Sequence, residues 1–158
     1  MNRREFLTAF LPSSKRTGVL RPPYTDENTD YRACKECEAP CIKECETGMI
    51  LRDEEGYPSI SFSRSGCTYC GRCAEVCPKG VLSRSKPERI RAEVRINPKR
   101  CSAWKGVLCF SCKEPCLDNA IKFEGLYRPV ILPERCTSCG FCLSVCPTEA
   151  IWVRSYEA

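Results

Sequence analysis

Two stretches decide how this chain reads: Cys67-Thr68-Tyr69-Cys70-Gly71-Arg72-Cys73-Ala74-Glu75-Val76-Cys77-Pro78 and Cys136-Thr137-Ser138-Cys139-Gly140-Phe141-Cys142-Leu143-Ser144-Val145-Cys146-Pro147. Both follow C-x2-C-x2-C-x3-C, and in both a proline comes directly after the last cysteine. Working outward, a group before each continues the theme: Cys34, Cys37, Cys41, Cys45 and Cys101, Cys109, Cys112, Cys116. The four groups use all 16 cysteines of the 158 residues. The last cysteine of every group is followed, four residues on, by an apolar pair: Met49-Ile50, Val81-Leu82, Ala120-Ile121 and Ala150-Ile151. The same offset in all four marks repeats of one structural unit.

The two regular groups have the spacing of the bacterial ferredoxin run. Three cysteines on a tight loop present their sulfurs to three irons of one cubane. The x3 step starts a short helix that turns the fourth sulfur away. Proline suits the first turn of that helix, where no N–H bond is lost. Gly71 and Gly140 sit where positive φ or a close approach to a cluster is expected. The irregular groups still carry four cysteines each. Group one has three residues between Cys37 and Cys41, and group three has the seven residues Ser102 to Leu108 before Cys109. Loss of one ligand at either, leaving a three-iron site, is the alternative.

Sixteen cysteines therefore specify four [4Fe-4S] clusters. In two-cluster ferredoxins the fourth cysteine of each run ligates the other cluster. Applied to neighbouring groups, the expected ligand sets are Cys34, Cys37, Cys41 and Cys77 for the first cluster, and Cys67, Cys70, Cys73 and Cys45 for the second. The third takes Cys101, Cys109, Cys112 and Cys146; the fourth takes Cys136, Cys139, Cys142 and Cys116. This pairing rests on matching inserts at 51–66 and 122–135, each with a hairpin pattern around a turn, Glu55-Gly56-Tyr57-Pro58 and Gly125-Leu126-Tyr127-Arg128-Pro129.

The expected fold class is α+β: two tandem bacterial-ferredoxin-like modules, each holding two clusters, with little regular secondary structure. Residues 1–33 read as an extended leader with a short N-terminal helix. Residues 34–82 read as the first module, 83–100 as a basic connector and 101–158 as the second module.

Composition narrows the chemistry. Histidine is absent, which excludes histidine-ligated haem, Rieske centres and His-containing zinc sites. Disulfides do not suit CxxC repeats followed by proline. Zinc suits three cysteines on one tight loop less well than a cubane face does. The formal charge of +5 misleads. A [4Fe-4S]2+ core with four thiolates carries a net negative charge, and four of them bring the oxidised protein to about −3. Nucleic acid is therefore not an expected partner.

The basic connector, with Lys79 just before it, holds Arg84, Lys86, Arg89, Arg91, Arg95, Lys99 and Arg100. It either offsets the clusters' charge or docks on an acidic partner. Aromatics beside the cysteines (Tyr69, Phe110, Phe141) read as rings that keep water off the clusters. For Trp104, in the long loop, docking is the competing role.

No apolar stretch is long enough to span a membrane. Arg3, Arg4, Phe6 and Leu7 look like the core of a twin-arginine export signal, but the apolar run Leu7–Leu11 is shorter than such a signal needs. The chain is expected to stay in the cytoplasm. No general acid, base or substrate pocket can be identified, so it is not read as an enzyme.

Together these features resemble NapF, a family of cytoplasmic four-cluster ferredoxin-type accessory proteins of periplasmic nitrate reductase systems. The Arg-Arg leader, Leu20-Arg21-Pro22-Pro23-Tyr24, Gly56-Tyr57-Pro58-Ser59-Ile60-Ser61-Phe62 and the long gap after Cys101 select that family; the ferredoxin runs alone fit many proteins. Group one is looser than the family pattern. The resemblance implies a partner, the apo catalytic subunit of nitrate reductase before export, and a role in its maturation. Other redox or export-chaperone proteins are further candidate partners. A plain electron carrier is the alternative function, and an adaptor stapled by its clusters a third.

Overall fold

A computed structural model describes residues 18–156. The Arg3-Arg4 segment and the expected N-terminal helix lie outside these residues. The repeat of the cysteine groups recurs in the backbone. The third residue after each final cysteine (Gly48, Gly80, Asn119, Glu149) has φ of 62°, 63°, 48° and 48°. In every case its N–H donates to the carbonyl of that cysteine. This left-handed turn sends the next two residues inward, and all eight members of the apolar pairs are buried. Left-handed backbone costs a non-glycine residue about 1 kcal/mol; Asn119 and Glu149 bear that cost for the same turn.

Three one-turn helices carry the third cysteine of their groups: α1 (Pro40–Lys43) holds Cys41, α2 (Arg72–Glu75) Cys73 and α3 (Phe141–Ser144) Cys142. Each follows a left-handed residue: Ala39, Gly71 and Gly140. The extra residue of group one is thus absorbed before the helix, and Pro40 takes the first helical position, where it loses no hydrogen bond. Group three has no such helix; its insertion carries a 3-10 turn, Ala103–Lys105.

Regular structure is otherwise sparse. Strands β1 (Ile50–Arg52) and β2 (Pro58–Ile60) pair antiparallel, as do β4 (Ile121–Glu124) and β5 (Arg128–Ile131), so both inserts are hairpins. Strands β3 (Ala92–Ile96) and β6 (Ile151–Ser155) form the third antiparallel pair, with Ile96 opposite Ile151. Strand β3 lies within 83–100, the stretch read as a connector. Its sequence alternates: Ala92 and Val94 are buried while Glu93 and Arg95 face outward and pair with each other.

Five other basic side chains of 83–100 also find partners in the chain. Arg84 meets Glu75 and the Cys70 carbonyl, Arg89 donates to the Cys136 carbonyl, Arg91 pairs with Glu27 and Arg100 with Glu149. Lys86 donates to Thr29 and the Val81 carbonyl.

Residues 20–24, read as leader, pack into the first half. The Ile60 N–H donates to the Leu20 carbonyl at 3.0 Å and the Tyr24 N–H to the Pro87 carbonyl at 3.0 Å. Pro22, Pro23 and Tyr24 are buried. The Arg21 guanidinium donates to Asp53 at 2.7 Å and to the Pro58 carbonyl at 2.9 Å, and lies over the Tyr31 ring.

Asp53 also accepts the N–H groups of Tyr57 and Glu55, closing the β1–β2 turn. Burial raises its pKa, but the Tyr57 N–H and Arg21 outweigh that and hold the carboxyl below its usual range. Asp53→Ala is expected to cost about 1–3 kcal/mol, read as a lower urea midpoint of the holoprotein. Because the folded pKa is depressed, the carboxylate's contribution is present above the unfolded pKa and disappears as pH falls through the folded one. The gap between variant and wild type should therefore narrow in acid. A constant gap would show that Asp53 acts by shape alone.

Candidate metal centres

The four left-handed turns and three helices bring the cysteines into four cavities. The first is lined by Cys34, Cys37, Cys41 and Cys77, with Leu82 and Ile42 as apolar walls. Cys67, Cys70, Cys73 and Cys45 line the second, Cys101, Cys109, Cys112 and Cys146 the third, and Cys136, Cys139, Cys142 and Cys116 the fourth. In each, three cysteines come from one group and the fourth from its neighbour. The atom-free spaces are alike, about 400, 390, 330 and 350 Å³ in that order. A larger hollow, about 880 Å³ with its open mouth included, lies between β3 and β5 beside Trp104 and holds a single cysteine, Cys136. One cysteine does not make a four-thiolate cluster site.

The donor sets suit a cluster better than a single ion. Among the described residues, no three His, Cys, Asp or Glu side chains converge as one metal ion requires. Tetrahedral zinc needs four sulfurs about 2.3 Å from one centre. Four thiols set around a shared hollow, rather than converging on one point, match the corners of a cubane.

Most of the thiols that shift are pushed up, by burial first and by neighbouring thiolates next. Cys41 and Cys112 rise to about 11 and Cys73 to about 12. Burial also lifts Cys142, beside Cys139 and Cys136. Cys45 and Cys146 go the other way. Burial raises both, but hydrogen bonds win: Thr47 and the N–H groups of Ile50, Met49 and Gly48 for Cys45, and the N–H of Ala150 with Thr148 for Cys146. Donors aimed at sulfur stabilise thiolate and raise the potential of a cluster bound there.

Thr47 and Thr148, whose hydroxyls lie within hydrogen-bond reach of the Cys45 and Cys146 sulfurs, are not singled out by cysteine spacing. Each stands two positions after the last cysteine of its group, where the other groups have Lys79 and Asp118.

Trp104 does not stand free. Its indole N–H donates to the Pro129 carbonyl at 3.1 Å and the Arg128 guanidinium covers the ring, so it ties the seven-residue insertion to β5. Phe110 packs on Phe123 with ring centroids 4.7 Å apart. The exposed apolar tip of the insertion is Val107-Leu108.

Comparison with known proteins agrees with this geometry. A 4Fe-4S dicluster domain family matches residues 32–81, and a 4Fe-4S binding domain family matches 129–152. The protein thus carries iron–sulfur binding domains in both halves. The chain is 34% identical to the ferredoxin-type protein NapF of Escherichia coli (strain K12), over 87% of this chain and 85% of that one. It is 29% identical to the ferredoxin-type protein NapF of Haemophilus influenzae, over 84% of this chain and 77% of that one. The methylamine utilization ferredoxin-type protein MauM of Methylorubrum extorquens is 28% identical, over 89% of this chain and 74% of that one. With a third of its residues shared across most of both sequences, this chain belongs to the family of ferredoxin-type NapF proteins.

Proposed function

We propose that the protein binds four [4Fe-4S] clusters in two tandem ferredoxin-like modules and assists maturation of the catalytic subunit of a periplasmic nitrate reductase in the cytoplasm, before that subunit is exported. The observation that carries the cluster count is that every one of the sixteen cysteines lines one of four similar cavities, four to each. Each cavity would take its ligands as lined: Cys34, Cys37, Cys41 and Cys77; Cys67, Cys70, Cys73 and Cys45; Cys101, Cys109, Cys112 and Cys146; Cys136, Cys139, Cys142 and Cys116. Bound there, the clusters supply one-electron redox chemistry or transferable iron and sulfide. The chain's own part is to hold thiolates, shield them with buried apolar pairs and direct N–H and hydroxyl donors at Cys45 and Cys146.

Membership of the NapF family supports the nitrate reductase partner, and no helix among the described residues is long and apolar enough to cross a membrane. The test is anaerobic. Holoprotein labelled with an iron isotope is mixed with unlabelled apo catalytic subunit, and the two are separated and counted. Label in the subunit together with nitrate-reducing activity is the expected result for cluster donation. Label retained, with no gain in activity, would remove the donation role and leave the carrier reading. The Cys67 N–H donates to the Cys139 carbonyl, a contact between the second and fourth cysteine sets that favours that reading next.

A further inference from the structure

The two modules meet through a contact that sequence order does not suggest. The Cys67 N–H donates to the Cys139 carbonyl at 2.7 Å. The Tyr69 hydroxyl donates to the Thr137 carbonyl. Gly66 lies so close to the opposing loop that a β-carbon there would stand 2.5 Å from the Phe141 nitrogen and 2.6 Å from the Cys139 carbonyl oxygen. The Phe62 ring packs in turn on Gly140. The loops in contact carry the second and fourth cysteine sets.

Within each module the neighbours are also defined. Helices α1 and α2, carrying Cys41 and Cys73, pack together, and both cysteines belong to one buried cluster. Cys112 and Cys142 share another.

We propose that the four centres form a single relay in the order first, second, fourth, third, with the Gly66–Tyr69 and Thr137–Phe141 loops as the electron bridge between modules. This deepens the four-cluster reading and rests on it. The relay's outer ends are then the sets built on groups one and three, the two with irregular spacing. Regular runs are kept where module meets module, and the variant loops face outward to partners. A one-electron reductant at one end delivers an electron that leaves to a one-electron acceptor at the other. No bond is made or broken and no proton moves. Gly66 and Tyr69 are positioning residues: they set how closely the two inner loops approach.

Magnetic coupling between reduced centres in the full-length holoprotein tests the order, with iron counted first. A fully loadable chain that holds fewer than four clusters overturns the count and the relay together. With the count intact, Cys136→Ser with Cys139→Ser, which empties the fourth set, is expected to abolish coupling between the modules. Cys101→Ser with Cys109→Ser, which empties the third, is expected to leave it. The reverse pattern, or a wild type with no coupling between modules, overturns the order alone. Gly66→Ala is expected to keep the iron and the coupling inside each module while losing the coupling between them. Tyr69→Phe, which adds no atom at the contact, is expected to weaken that coupling. Full coupling in both variants would overturn the bridge.

Discussion

Stripping the iron from the holoprotein is expected to abolish its cooperative unfolding transition and most of its ordered backbone. Each hydrophobic cluster contains cysteines that line the proposed metal cavities. Cys41 and Cys73 are buried in the first, with Cys45, Cys67 and Cys77 packed on it; Cys112 anchors the second and Cys101 the third. Taking the metal away opens four cavities, and their linings lose the contacts that hold them. Little remains to compensate. One-turn helices are not stable alone, and two-stranded sheets of three to five residues are marginal in water. Metal-binding free energy is then folding free energy.

The loss should deepen with acid. Cysteines ligate iron as thiolates, so protons compete with the metal for every sulfur. Iron must displace those protons, so retention weakens as pH falls. Circular dichroism and urea melts of anaerobically chelated protein provide the check. A stripped chain that still melts cooperatively at the holoprotein's midpoint would contradict the idea that the clusters are its core.

The cysteine spacing was the most legible part of the fold because cluster ligation leaves a local signature. Three sulfurs on one loop need short fixed gaps, and the redirected fourth needs a turn that repeats at one offset. The buried pairs after Cys45, Cys77, Cys116 and Cys146 could be read for the same reason. Strand β3 was hidden by its own charges. Arg91, Arg95 and Glu93 made 83–100 look like a solvated connector, although Ala92, Val94 and Ile96 alternate with them at the period of a strand. Its partner β6 lies more than fifty residues away, and nothing local announces such a pairing. The burial of Pro22, Pro23 and Tyr24 was equally silent, since prolines in an extended segment read alike whether they are bare or packed. The contact of Gly66 with Phe141 leaves only a glycine behind in the sequence.

Replacing Cys34 or Cys77 with serine is expected to remove the same cluster, and replacing both is expected to do no further harm. The two residues are far apart in sequence and belong to different groups, yet they line one cavity. Each single variant should lose about a quarter of the iron, since one of four clusters loses a ligand. Residues that act as one unit are not additive, so Cys34→Ser with Cys77→Ser should match either single variant in iron content and spectrum. Cys67→Ser and Cys45→Ser should form a second such pair, because both line the neighbouring cavity. Combining Cys77→Ser with Cys67→Ser, by contrast, should lose two clusters, although these cysteines share one sequence run. Were each run instead to hold its own cluster, Cys77 and Cys67 would be the non-additive pair and Cys34 with Cys77 the additive one. Iron content of four single and three double variants, reconstituted together, therefore separates crossed from uncrossed ligation without reference to any partner or activity.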